Sequence, residues 1–456
     1  MSPVLEAFGN ASTHRNRNSS RFGRFVKLRM ASEGPEGAAL ALSGGALETY
    51  LLEKSRVVRQ GLGERNFHAF HMLLESRPDL LVGGNHQHRC MPPRDQELAA
   101  TAGDDKSVPV FPAVARALNA VGFDDGERDA AFSVLAAIAA LADAKIGASE
   151  DAASREKVAT VDGGGGTPLA RAAALVKVDA ATLGNILTER TVTTREESLK
   201  VRRSPEDAGA ARDAACRWIY GALFDALVAR CNRALDLDGT ASKSEARFVG
   251  ILDIFGFETL QVNGLETLLI NYANESLQQL FCDAVFRAEL VLYEAEGIFS
   301  EDDAAALAPP DSTATLEFLA GKGPPPGILR LLDAQCATGG TTAGASSDKR
   351  DGTFLNEVAR AHGTNKSLAK TRAQDRRFMF HVQHYAGKAG YTVIREDGAD
   401  GWVVTNLDAI PDGLADAVAG SPDALVASLA DFAAKAPAAD ARRRSAARPC
   451  GRARPR

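Results

Sequence analysis

Hydrophobic and polar positions follow two periods along this chain, and the longest helical one lies just past its middle. Leu265, Leu268, Leu269, Tyr272, Leu280, Phe281, Ala284, Val285 and Ala288 recur at helical spacing, and neither Gly nor Pro occurs between Leu265 and Glu296. That pattern predicts one amphipathic helix of roughly 45 Å, long enough to carry motion as a lever or piston. Just before it, Phe248 to Phe257 reads FVGILDIFGF, an apolar run rich in β-branched and aromatic residues, which predicts a buried strand. Helical periods also cover Glu48 to Glu75, Val110 to Ile146, Thr167 to Thr188 and Asp207 to Leu235, while Phe378 to Tyr391 has strand character. Gly163 to Gly166 reads as a linker, and Ala304 to Pro326 and Gly339 to Ser347 as loops.

Composition narrows the class. The 456 residues are 45% hydrophobic, enough for two or three ordinary domains or one large one with subdomains. A net charge of −6 argues against general nucleic-acid binding. No apolar run reaches 18 residues, so no membrane insertion is expected, and Pro3 to Arg17 is too polar for a signal peptide. Six scattered cysteines without CxxC spacing suit a reducing cytosol. Beyond about Ala417 the chain is Ala-rich, and from Arg442 it is Arg-rich without an acid, so 417–456 is expected to be a disordered tail.

Two short segments carry chemistry: Asn10 to Phe25, NASTHRNRNSSRFGRF, and Asp253 to Glu258, DIFGFE. Phosphoryl transfer to water needs a cation on the phosphates, an oriented water and neutralisation of developing charge. Adjacent serines on a loop can hold the cation with one hydroxyl and place water with the other. An Asp at a strand end can stand behind the cation. A Gly just beyond it lets backbone approach a phosphate closely, and an Arg on one segment with a Glu on the other can close the site.

In order and spacing these segments resemble switch I and switch II of the myosin family. The resemblance implies that Asn16 touches the phosphates, Ser19 positions the attacking water and Ser20 ligates Mg²⁺ with Asp253 in its second shell. It further implies that Gly256 senses the γ-phosphate and that Arg21 and Glu258 form the salt bridge of the closed site. Further segments agree: YLLEKSRVVRQGLGERNFHAFHMLL from Tyr50 to Leu74, Arg212 to Leu235, and Leu265 to Ile298, which is similar to the relay helix and contains INYANESLQQLF. PPGILRLLDAQC and FHVQHYAGKAGYTV match later in order, so the likeness runs from about Leu5 to Leu414. The implied fold is α/β, the P-loop NTPase-like motor fold, mostly helical around an incomplete central sheet. The implied domains are 1–247 with switch I and the upper half of an actin-binding cleft, 248–300 with switch II and relay helix, and 301–416 with the lower half. The implied ligands are ATP and Mg²⁺, the implied partner is the actin filament, and the implied location is the cytoplasmic cytoskeleton. Phe354 and Leu355, in FLNEVARAHGTNKS, correspond in order to the family's hydrophobic actin-docking element.

Departures qualify the activity. No GxxxxGK(S/T) phosphate loop occurs: Gly163 to Gly166 has no following Lys, and Gly321-Lys322-Gly323 lacks the Ser/Thr. Neither a converter nor a light-chain site is visible, Phe299 stands where the family has Trp, and Arg17 is an unusual basic residue in the first switch. The chain therefore reads as a partial motor head, the alternative being a non-hydrolysing actin or cytoskeleton interaction protein with a relic nucleotide site. His86, His88 and Cys90 alternate in a loop, but without a second ligand cluster they make a poor metal site. His384 and Tyr385, in HYAG, are better read as a packed strand than as catalysts.

Overall fold

A computed structural model describes residues 1–14, 16–32, 40–61, 63–81, 88–91, 108–151, 155–193, 198–236, 247–298, 309–339, 347–394, 401–407 and 409–435. It divides into two compact units, one of Met1–Ile254 with Ala409–Ala436, the other built on Phe255–Asp408.

The first unit opens with α1 (Ser2–Gly9), and a short antiparallel ladder of β1 (Asn10–Ala11) and β2 (Ser19–Ser20) closes the loop between them. β3 (Gly23–Ser32) and β4 (Leu40–Tyr50) follow, then α2 (His68–Ser76), α3 (Phe111–Ala120) and α4 (Asp125–Asp143). The hairpin β5 (Ile146–Glu150) and β6 (Lys157–Val161) leads to α5 (Pro168–Leu175) and α6 (Ala180–Thr188). A second hairpin, β7 (Glu189–Thr193) and β8 (Ser198–Arg202), leads to α7 (Pro205–Leu235) and β9 (Arg247–Asp253). The helix starts are written in the sequence: Asp124 and Glu127 form a capping box on α4, and Ser204 caps α7 with Pro205 in its first turn.

α7 organises this unit. Tyr220 stacks on Phe67 and Phe70, with ring centroids 4.8 and 5.6 Å away, and its buried hydroxyl donates to the Phe8 carbonyl at 2.6 Å. Lower on the helix, Asn232 brackets Leu47, accepting from its N–H at 2.6 Å and donating to its carbonyl at 2.8 Å, which fixes β4 to α7. The sheet order is β4-β3-β9, antiparallel throughout, with Arg24 opposite Asp253 and Val26 opposite Ile251. Gly250 matters here, because a Cβ would stand 2.4 Å from the Phe25 ring that crosses β9.

The second unit contains α8 (Leu265–Phe281), a π-helical turn at Cys282–Arg287, and α9 (Ala288–Ala295), so the helical run expected from the sequence is present with a π turn within it. α10 (Thr313–Ala320), α11 (Ile328–Gly339) and α12 (Ser347–His362) come next. A small sheet, β10 (Leu368–Ala369), β11 (Met379–His384) and β12 (Gly387–Thr392), precedes α13 (Trp402–Leu407). Its core gathers Leu268, Phe318, Ile328, Leu332, Phe354, Val382, Tyr391 and Val403.

Several expectations change. β9 forms where a strand was expected, but all seven of its residues are exposed, with Phe248 and Val249 near 55%. Among the described residues it pairs on one edge only, so the covering that its apolar composition anticipates is not supplied by the described strands of its own sheet. The stretch Glu48 to Glu75 is not one helix: it holds the end of β4, a 3₁₀ turn at Lys54–Val57 and α2. The single strand read over Phe378 to Tyr391 is the hairpin β11–β12. The start of the region expected to be disordered is folded: α14 (Leu414–Ala419) and α15 (Ala424–Ser428) return to the first unit, where Leu414, Val418, Leu425 and Val426 join its core. The Arg-rich end lies outside the described residues. Among the described residues no helix is long and apolar enough to cross a membrane.

Candidate functional site

The first candidate segment is a hairpin-like loop whose polar residues brace each other. Asn10 pairs with Ser20 and Ala11 with Ser19 in the β1–β2 ladder. Asn10 Nδ2 donates to Asn18 Oδ1 at 3.0 Å, and the ring Nε2 of His68 stands 3.1 Å from the same oxygen. Asn16 is exposed at the tip, where its Oδ1 accepts the Asn18 N–H at 2.9 Å. Ser20 donates its hydroxyl to the Phe22 carbonyl at 3.1 Å, which leaves the Oγ lone pairs available to a cation. Ser19 Oγ accepts from Arg21 Nη1 at 3.2 Å, so its own proton is available to an outside acceptor.

Arg21 is the buried anchor of this loop. Its N–H donates to the Gly9 carbonyl at 2.8 Å, and its own carbonyl accepts from Glu53 at 2.9 Å. Gly9 permits this approach, because a Cβ there would meet the Phe22 ring at 2.3 Å. Arg21 Nε donates to Glu53 Oε2 at 2.6 Å. The same carboxylate takes Arg56 Nε at 2.7 Å, and Arg56 Nη2 reaches Glu64 at 2.9 Å. Two arginines and two glutamates thus form one closed cluster, with the Arg21 and Arg56 side chains 7% and 4% exposed. Burial opposes the charge on Glu53, but Arg56 and then Arg21 outweigh it and hold the carboxyl below its usual range. Leu51, at φ 52°, makes the reversal after β4 in the left-handed region, which L residues avoid. That turn brings Glu53 back under Arg21. Glu53 was missed in the sequence because an acid in LLEKSR reads as an ordinary helical charge, and only the turn at Leu51 reveals its partner.

Asp253 ends β9 directly opposite Arg24, four residues beyond Ser20. Arg24 Nε and Nη2 both reach its Oδ2 at 2.9 Å, and the Asp253 side chain remains half exposed. An exposed carboxylate and two serine hydroxyls are the hard oxygen donors that Mg²⁺ prefers. Among the described residues, no group of three or more His, Cys, Asp or Glu forms a protein-only metal site. The Ser20 hydroxyl and the Asp253 carboxylate, both in the first unit, are oxygen donors of the kind that Mg²⁺ would take.

Gly256 and Glu258 belong to the second unit. A Cβ built on Gly256 would meet nothing within 4 Å, so the backbone there is open to a ligand. The Glu258 backbone is bracketed by Asn271 of α8, whose Oδ1 accepts its N–H at 2.9 Å and whose Nδ2 donates to its carbonyl at 2.8 Å. Asn274, one turn on, donates to the Phe255 carbonyl at 2.9 Å. The loop after β9 is therefore tied to the long helix by side-chain amides.

Phe354 and Leu355 are corrected. Phe354 is fully buried, its ring 5.9 Å from that of Trp402, and Leu355 is buried beside it in the core of the second unit. They hold α12 in place and do not form an exposed docking pair; the exposed side of that helix carries Asn356 and Arg360. The other decoys resolve similarly. His88 Nδ1 pairs with Asp143 at 2.6 Å and Cys90 is a buried thiol, its pKa pushed well up by burial, while His86 lies outside the described residues.

The sequence model of the myosin head (motor domain) matches residues 1–453. The chain is 33% identical over 443 residues to unconventional myosin-Ic of Rattus norvegicus, covering 94% of this chain and 39% of that protein. It is 35% identical over 405 residues to the unconventional myosin-Ic proteins of Bos taurus and Mus musculus, covering 86% of this chain and 36% of each. The chain therefore spans under two fifths of the length of these relatives.

Proposed function

The chain belongs to the myosin head (motor domain) family, and from that premise we propose that it supplies the switch portion of a cytoplasmic, actin-filament-dependent ATPase. The observation that carries this is the Arg21 cluster. It orders the loop so that Ser19 and Ser20 each keep a hydroxyl function for a ligand.

In this reading Ser20 would ligate Mg²⁺ directly with Asp253 in its second shell, and the ion when bound would neutralise phosphate charge. Asn16 contacts the phosphates. Ser19, its oxygen already occupied by Arg21, donates or relays a proton at the position of the attacking water. Gly256 offers its N–H to the γ-phosphate, and its lack of a side chain admits the close approach. Arg21 with Glu258 forms the closing pair, a role carried by the family pattern. Asn271 and Asn274 link movement of the second segment to α8, which transmits it. Filament contact falls to the exposed side of the α12 region, Asn356 and Arg360, with Phe354 and Leu355 supporting it from behind.

A non-hydrolysing role is the competing reading, favoured by the missing GxxxxGK(S/T) pattern. The two separate in a chimera in which this chain replaces the matching segment of the rat relative's head. Filament-stimulated phosphate release from Mg²⁺-ATP supports the proposal. Nucleotide and filament binding without stimulated release supports the relic.

A further inference from the structure

Beside the second candidate segment, Asn271 opens a chain of buried polar groups whose other members the proposed chemistry does not use. Asn271, Glu275, His384 and Tyr391 are all buried, the His384 side chain completely. His384 Nδ1 stands 2.8 Å from Glu275 Oε2, and its Nε2 stands 2.8 Å from the Tyr391 hydroxyl. Asn271 Nδ2 donates to that hydroxyl at 2.8 Å and, with its other proton, to the Glu258 carbonyl.

One assignment of protons satisfies every group in this chain. The Glu258 N–H is a donor, so the atom of Asn271 that receives it must be oxygen, and the other must be NH₂. Both NH₂ protons are then spent, one of them on Tyr391, whose oxygen accepts. The single Tyr391 proton then finds its partner in His384 Nε2, which in this assignment is the acceptor. His384 Nδ1 accordingly carries the ring proton and gives it to Glu275. Burial opposes ionisation of Glu275, but the bonds from His384, Ser312 and the Tyr385 N–H keep its carboxyl below the usual range, so it remains an acceptor. Burial also pushes the Tyr391 phenol up, so it keeps its proton.

We propose that Asn271, held in one orientation by Tyr391, His384 and Glu275, is the positioning residue for the Glu258 backbone. A carboxamide alone can turn end for end. Turned, Asn271 would set its NH₂ against the Glu258 N–H and its oxygen against the Glu258 carbonyl, losing both bonds. Tyr391 prevents this, because its proton is committed to His384 and its oxygen can only accept. A strand histidine, through one tautomer, thus sets the conformation of the segment that carries Gly256 and Glu258. The inference rests on the motor reading only in treating that segment as a switch.

The test needs no nucleotide, so it stands or fails separately from hydrolysis in the chimera. Amide hydrogen exchange in the full chain is compared between wild type and Tyr391→Phe. Loss of one orienting bond should speed exchange of the Glu258 amide roughly five-fold while the β11 amides keep their rates. Asn271→Leu should raise it further. Unchanged Glu258 exchange, or equal acceleration at Glu258 and in β11, would overturn the proposal, because either makes the network ordinary core. Should the variants not fold, ¹⁵N spectra of histidine-labelled wild-type chain decide: His384 must be the neutral Nδ1–H tautomer at pH 7, and an Nε2–H or doubly protonated ring contradicts the assignment.

Discussion

Replacing Glu53 by Gln tests how the first segment is held. The carboxylate serves Arg21 at 2.6 Å and Arg56 at 2.7 Å, and both guanidiniums are almost wholly enclosed. Both Nε–H groups donate to the same oxygen, Oε2, and Arg56 Nη2 to the other at 3.3 Å, so a carboxamide removes the negative charge between two enclosed guanidiniums and turns its NH₂ against either Arg56 Nη2 or both Nε–H groups. Arg56 keeps Glu64 at 2.9 Å and the Arg65 carbonyl at 3.0 Å, and Arg21 keeps the Ser19 hydroxyl at 3.2 Å, but these bonds do not restore the lost charge. Breaking an enclosed ion pair from one side typically destabilises by about 3 kcal/mol or more, whereas an exposed pair gives under about 1. Glu53→Gln should therefore lower the stability of the first unit by about 3 kcal/mol, seen as a fall in urea midpoint at unchanged slope. The pH dependence has a fixed sign. The folded carboxyl lies below its unfolded value of 4.5, so its contribution is full above that value and is lost as pH falls through the lower folded one. The wild-type advantage over Glu53→Gln should thus be constant near neutrality and disappear in acid. A loss below about 1 kcal/mol, or an advantage that grows on acidification, would refute the cluster as the anchor.

Three other outcomes follow from the geometry. Phe354→Ala should cost about 3–5 kcal/mol in thermal or urea unfolding of the second unit, as for a fully enclosed aromatic side chain; a change within about 0.5 kcal/mol would return Phe354 to the surface. Val249→Lys on exposed β9 should reduce binding of a hydrophobic dye with under about 1 kcal/mol change in stability, and a large destabilisation would mean that the strand is covered. The chain by itself, lacking a GxxxxGK(S/T) cradle, should release phosphate from Mg²⁺-ATP at least about 100-fold more slowly than a complete head, and robust filament-stimulated turnover would contradict that.

The sequence made the helices legible where caps and period agreed. Ser204-Pro205 and the Asp124/Glu127 box mark the starts of α7 and α4, and the Leu265 period continues through a π turn that no periodicity could reveal. Strands were harder to see. β3 pairs with residues more than 200 positions away, and the spacing of its charged residues Arg24, Lys27 and Arg29 breaks the two-residue alternation that would have revealed it. Phe354 looked like a docking residue because order along the chain says nothing about which face of a helix is enclosed. The same limit hid Glu53 and the Asn271–Tyr391–His384–Glu275 chain: each is a contact made by a turn or a hairpin, whose partners local pattern does not pair.

The most direct test of the account is a single-turnover comparison in the chimera, with the wild-type residue and with Glu258→Ala. Fluorescent ATP binding and phosphate release are measured separately on each protein. The account predicts nucleotide affinity within a few-fold of wild type and phosphate release slower by about 100-fold or more, because the Arg21–Glu258 pair acts in the closed, hydrolysing state. Equal loss of binding and release, or release that survives the substitution, would contradict the claim that these two segments are the switches of an ATPase.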